Sequence, residues 1–242
     1  MACNMMTLRR NWRELFVRFS AEFAIVVVGV TIALWADSWV SDRGDREQEF
    51  ARLRALQDNL TETLDSLRME RDNASGGADA LRELVTSQEI PGEELRQLVR
   101  FGVLYGPTFS PELNVYDDLK NSGELALLTN RNIRRSLATM DNRLEVLQLA
   151  QSDLALVQQL EIDSYAIDHI NLRVLYGDDL GISWVTPDME HDFNFLSDMR
   201  FKNRVLLKLD LVTQLVSGFD KAEAALESVR QSIDLQLSNQ QD

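Results

Sequence analysis

The stretch FSAEFAIVVVGVTIALWADSW, Phe19 to Trp39, is the most apolar part of the chain and decides how the rest is read. Its uninterrupted apolar core, Phe23 to Ala36, is short enough to be a core helix or the apolar region of a signal peptide. Extended to Phe19 and Trp39 it covers about 30 Å at about 1.5 Å per residue, the thickness of a bilayer's hydrocarbon layer. Glu22 and Asp37 then lie near opposite edges, where charge is tolerated. Trp35 and Trp39 fall at one interface and Trp12 and Phe16 at the other, as interfacial aromatic belts require. A single transmembrane helix over residues 19–39 is the expectation.

Residues 1–18 read as a basic amphipathic lead-in on the cytoplasmic leaflet. Leu8, Trp12, Leu15, Phe16 and Phe19 recur at spacings of three and four, with Arg9, Arg10, Arg13 and Arg18 between them. Arg18 and Glu22 are four apart and could pair on a helix; the alternative is that Glu22 reaches headgroups and water. Those four arginines, set against Arg43, Arg46, Arg52 and Arg54 beyond the span, place the N-terminus inside and the C-terminal domain outside the cytoplasm. The rival reading is a cleaved signal peptide, but a cut after Ala36 would need a small residue where Leu34 stands. The expected location is the cytoplasmic membrane, with the bilayer itself as the first partner.

Charge narrows the remaining partners. Of 39 acidic residues only Glu14 and Glu22 precede Ala36, and of 25 basic residues four do, so 37 acids face 21 bases beyond it, a net of −16. A chain so acidic has no basic stripe with which to release counterions, and nucleic acid is excluded as an expected partner. The one cysteine, Cys3, precedes the apolar run, so no disulfide can form within a chain.

Beyond the span the pattern is helical almost throughout. Residues 40–49 form a polar juncture with Gly44 as its weak point, and residues 50–242 a bundle. Phe50, Leu53, Leu56, Leu60, Leu64 and Leu67 make a seam of coiled-coil type, which Ser75, Gly76 and Gly77 are expected to end. Short helices are predicted over Ala78–Glu89, Glu93–Leu104 and Glu112–Asn121, the last stopping at Gly123 as a left-handed cap. Thr129-Asn130 offers the N-cap of a helix of about forty residues, marked by Ile133, Leu137, Met140, Leu144, Leu147, Leu154 and Leu160. A last long helix runs to Leu237 with Val205, Leu209, Val212, Val216, Phe219, Leu226, Val229 and Ile233 facing inward. All four prolines, Pro91, Pro107, Pro111 and Pro187, fall in the gaps. Between the long helices, Arg173–Tyr176 and Ile182–Val185 flank Gly177 to Gly181, which reads as a loop or a small hairpin. The fold class is all-α, an N-terminal transmembrane helix followed by an elongated antiparallel helical bundle.

Two stretches resemble a family of bacterial single-span membrane proteins of unknown function. Glu22-Phe23, Gly29, Ile32-Ala33-Leu34 and Trp39 are similar to that family's glutamate, apolar run, glycine, Ala-Leu and closing tryptophan. Asp118 to Leu125, with Leu128, Asn130 and Arg134, resembles its Leu-Lys-x-Ser-Gly-x-Leu block leading into a long helix. The resemblance implies an anchor and a helical domain, and no reaction.

Chemistry is sparse. No H-E-x-x-H, C-x-x-C, Walker loop, G-x-S-x-G or EF-hand loop is present, so no catalytic residue, cofactor or metal is expected. Asp188, Glu190, His191 and Asp192 crowd one loop that could hold a divalent cation, though a solvated acidic loop accounts for them. Glu161, Tyr165, His169 and Arg173 recur every four residues, a polar stripe that could bind a small carboxylate or phosphate, or else simply face water. Gly29 and Ala33 give the span a small-residue face for helix association. Two function classes follow. One is a membrane-anchored interaction or scaffold module acting through protein partners or a homo-oligomer. The other is an extracytoplasmic sensor-like bundle for a small polar ligand, which the absence of an output domain makes the weaker reading. An enzyme is third, because nothing pairs a nucleophile with a base.

Overall fold

The structure, a computed structural model, describes residues 6–87, 90–176, 181 and 194–239, with side chains from 26 onward except those of 41, 42, 45, 174 and 194. Every regular element among the described residues is helical. In order they are α1 (Met6–Thr86), α2 (Gly92–Leu98), a π-helical turn (Val99–Leu104), α3 (Asn114–Asn121), a 3-10 turn (Glu124–Leu127) and α4 (Arg131–Val157). A second π-helical turn (Gln158–Asp163) follows, then α5 (Ser164–His169), α6 (Leu172–Tyr176), a 3-10 turn (Asn194–Ser197) and α7 (Met199–Ser238). The chain divides into two compact units, Met1–Leu53 and Arg54–Asp242.

The first unit is the N-terminal part of α1. From Val26 to Val40 the helix exposes apolar side chains on all its sides, Val26, Val27, Val28, Val30, Ile32, Leu34, Trp35, Trp39 and Val40 among them. The one hydroxyl inside this run, Thr31 Oγ1, donates to its own helix at Val27 O, 2.7 Å away, so it needs no outside partner. The expected polar juncture at 40–49 is not a break: α1 passes straight through it. Arg43 and Glu47 pair across Gly44 at 3.4 Å, four residues apart, which offsets part of the roughly 1 kcal/mol that a helical glycine costs. Arg43 also lies over the Trp39 ring, 5.9 Å from its centroid. The lead-in side chains, with Trp12, Phe16 and the Arg18–Glu22 pair, lie outside the described residues.

In the second unit three long helices run antiparallel or parallel to one another. Glu161 meets Arg204, a Cβ on Gly218 would sit 3.2 Å from Leu147, and Ser136 faces Ser228, so α4 and α7 run in opposite directions. Gln57 bonds Asp234 while Arg68 bonds Glu223 and Glu227, so α1 also opposes α7. The predicted seam is buried in this unit at Leu56, Leu60, Leu64 and Leu67; in the first unit Leu53 is buried and Phe50 half-buried. Those leucines belong to the chain's own interior and leave no free seam for a second copy.

Four expectations are corrected. Ser75, Gly76 and Gly77 do not end the first bundle helix, which continues to Thr86. Gly76 packs closely instead, since a Cβ there would lie 2.9 Å from Phe101 Cε1, and so does Gly102, where one would lie 3.1 Å from both Ala80 Cβ and the Leu81 nitrogen. In the long third helix Leu144 is only half-buried and Leu160 is exposed; past Leu154 the buried position is Ile162, within the π-turn. On α7, Lys208 and Leu215 are buried where Leu209 and Val216 were expected, and those two are half-buried. Residues 172–176 form α6, so the first arm of the possible hairpin is helical; its second arm lies outside the described residues.

The local signals fare better. Gly123 has φ of 78°, the left-handed conformation that ends the α3 segment. Asn130 caps α4 by accepting from the Asn132 N–H at 2.8 Å, and Asp198 caps α7 in the same way from Arg200 at 2.9 Å. Pro91 precedes α2, and Pro107 and Pro111 lie in the 105–113 loop; Pro187 is outside the described residues.

Candidate functional site

The polar stripe is only partly assembled. Tyr165 is buried, and its hydroxyl donates to Asp198 Oδ2 at 2.8 Å. Burial, then that hydrogen bond and the Asp198 charge, push the phenol up to about 12. The Arg200 N–H first, and the Tyr165 hydroxyl second, hold the Asp198 carboxyl below the usual carboxylate range. Arg204 lies over the Tyr165 ring at 5.1 Å and pairs with Glu161 at 3.1 Å. His169 is exposed and packs its ring 4.4 Å from that of Tyr165. Arg173 stands apart: the helix is interrupted at Ile170 and Asn171, so the four-residue spacing does not carry onto α6. Tyr165 and Arg204 are thus committed to partners within the chain. The cluster fastens the start of α5 to the start of α7.

A second polar group was not foreseen from the sequence. Lys208, on α7, is 1% exposed, and its Nζ donates to Val103 O at 2.6 Å and Tyr105 O at 2.7 Å. Burial pulls the ammonium down to about 7, against the opposing charge of Asp163. A neutral amine has two N–H groups, and two carbonyls accept them. Those carbonyls close the first π-turn, while Gln158, opening the second, donates to Val103 O at 3.2 Å and to Asp163 at 2.6 Å. The two π-turns and Lys208 therefore form one buried joint.

The loop that follows, residues 105–113, is held from three helices at once. Lys208 takes Tyr105 from α7. Gln151 of α4 accepts from the Phe109 N–H at 2.5 Å and donates to its carbonyl at 3.1 Å. Asn59 of α1 donates to Glu112 O at 2.7 Å and accepts from the Val115 N–H at 3.3 Å, standing in for a local cap on α3. Beside this loop lies a cleft of about 350 Å³ whose walls include Phe109, Pro111, Tyr116, Lys120, Asp141 and Gln148. Two of its charged groups answer one another, Lys120 Nζ reaching Asp141 at 2.8 Å and lying 5.5 Å from the Tyr116 ring centroid, and Asp117 and Glu145 add further carboxylates to the wall. Burial, then the neighbouring Asp141, raises the Tyr116 phenol well above its ordinary value.

Among the described residues no three of His, Cys, Asp and Glu are grouped to hold a metal. Asp188, Glu190, His191 and Asp192 lie outside the described residues. Gly29 has nothing within 4 Å, and Ala33 is exposed like its neighbours.

The chain matches no protein-family model, no curated protein and no solved structure.

Surfaces therefore distinguish this protein more than pockets do. Among the described residues no helix is long and apolar enough to cross a membrane. The described side chains of the apolar run begin at Val26, so its first part, Phe19 to Ile25, lies outside that statement. What is described, Val26–Val40, is an apolar helix with no protein around it.

Proposed function

We propose that this chain is a membrane-anchored helical interaction module, its bundle held at the outer side of the cytoplasmic membrane and acting through protein partners. The observation that carries this reading is the exposure of apolar side chains on all sides of Val26–Val40. A helix apolar all round is stable in water only if something apolar surrounds it, and a bilayer is the surroundings that satisfies every side together. Thr31 bonding its own backbone, and Trp39 under Arg43 at the polar end, are consistent with a span that emerges there. The resemblance to bacterial single-span proteins points the same way. The ligand-sensing alternative draws little from the cleft, whose one cation, Lys120, is held by Asp141 and whose remaining charged walls, Asp117 and Glu145, are carboxylates.

Fractionation with protease accessibility of the C-terminally tagged full chain in spheroplasts tests it. The expected result is retention in membranes through an alkaline wash with the tag digested from outside. A protected tag would reverse the orientation, and release as a shortened soluble chain would overturn the anchor.

A further inference from the structure

We propose that the outward face of α4 and α5 is a docking surface for an amphipathic helix of another protein, apolar on one side and flanked there by Lys and Arg. This deepens the interaction-module reading and rests on it.

The face is defined by exposure. Leu149 is 62% exposed, Leu156 56%, Leu160 60% and Ile167 71%, with Val146 exposed beside them. At about 100° per residue Leu149 and Leu156 differ by roughly 20°, whereas the buried Leu147 and Leu154 lie on the opposite side of the helix. Helix α4 is therefore apolar on two opposite faces, and only one of them is used by its own bundle. The steps from 149 to 156 to 160 are seven and four, the spacing with which one helix receives the knobs of another, and Ile167 adds an exposed apolar side chain on α5, past the π-turn.

Charge selects the occupant. From Leu144 to Ile170 the chain carries Glu145, Asp153, Glu161, Asp163 and Asp168 and no Lys or Arg. Of these, Glu161 is paired with Arg204, and Asp163 accepts from Gln158. Glu145, Asp153 and Asp168 are exposed alongside the leucines. A second copy would bring the same carboxylates against these, and an anionic lipid surface would be repelled likewise. A helix with apolar residues at spacings of three and four and basic residues at their flanks satisfies both the leucines and the acids.

The test uses the full chain in phosphatidylcholine nanodiscs and two labelled synthetic helices of about four heptads. Both carry Leu at the seam; one has Lys at the flanks and the other Glu. Anisotropy is read against empty nanodiscs. The expected result is saturable binding of the Lys helix, at least about tenfold weaker binding of the Glu helix, and at least about tenfold weaker binding of the Lys helix to L156Q/L160Q. The double variant keeps every charge and alters only exposed side chains, so an unchanged melting curve is its folding control. Equal binding to L156Q/L160Q would reduce the effect to bulk attraction by an acidic protein and overturn the proposal. So would no binding at all, or a wild-type dimer in sedimentation that the double variant dissolves, which would give the face to a second copy. Loss of the anchor in fractionation leaves this measurement intact in detergent-free buffer, so the two readings fail separately.

Discussion

Lys208 is the residue with the most consequence for stability. Its amine is pulled down to about 7 by burial, whereas in the unfolded chain it titrates near 10.4. Between those values the unfolded state holds a proton that the folded state lacks, so stability rises with pH across that window. Below about 7 both states are protonated and the cost of burying the charge is complete. Asp163 is the carboxylate that opposes the shift. From pH 7 to pH 9 the denaturant midpoint of the wild type is expected to rise relative to that of K208M, which has no group to titrate there. Parallel midpoints would remove Lys208 as the cause. At pH 9 the variant should be the less stable by about 1–3 kcal/mol, because the Val103 and Tyr105 carbonyls lose their donor. Nothing local marks Lys208 in the sequence: it stands one position before Leu209, which fits the apolar repeat, and only the π-turn opposite gives it carbonyls to bond. Asn59 and Gln151 escaped notice for the same reason, since each acts on backbone far away in sequence.

At the scale of elements, glycines separate what was legible from what was not. Gly76 and Gly77 look like a helix terminus, and in a chain without tertiary neighbours they would be one. Here Phe101 fills the space that a side chain on Gly76 would need, and Gly102 meets Ala80 and Leu81 from the other helix. G102V is expected to lower stability by about 1–3 kcal/mol in denaturant titration, since the Leu81 backbone cannot withdraw. Gly29 is the contrast, with open space where its Cβ would be. G29L should leave the bundle's stability unchanged and, if spans associate through Gly29 and Ala33, weaken cross-linked oligomers in membranes. Unchanged cross-linking would remove that face as a contact. Caps, proline gaps and leucine seams could be read because each depends on residues within one or two turns. Asn130, Gly123 and Leu56 to Leu67 behaved as their neighbours in sequence dictate. The two π-turns could not be read, because an inserted residue is tolerated only where the packing on both sides accepts it. In the second one Ile162 is buried, whereas Leu160, predicted to face inward, is exposed.

For the whole molecule, apolar exposure and acidic charge pull solubility in opposite directions. The exposed apolar side chains of Val26–Val40 surround their helix on every side, whereas residues 54–242 bury most of their leucines and expose apolar side chains such as Leu149, Leu156 and Leu160 along one face, with carboxylates beside them. A fragment from Asp45 to Asp242 is therefore expected to stay in solution without detergent, with a helical circular-dichroism spectrum and one cooperative melting transition, while the full chain sediments when detergent is removed. Aggregation of the fragment would mean that the bundle's own surface needs cover. The fragment remains strongly acidic, and its carboxylates repel one another. Against that repulsion stand the bridges from Arg68 to Glu223 at 2.6 Å and Glu227 at 2.5 Å, with Arg71 also on Glu223. Those side chains are partly shielded from solvent, and salt weakens them less than it weakens repulsion between exposed groups. Raising ionic strength from about 10 to about 150 mM shortens the screening length from about 30 Å to about 8 Å. The melting temperature is then expected to rise. A fall would show that the arginine bridges between α1 and α7 contribute more to stability than the surplus of acids removes.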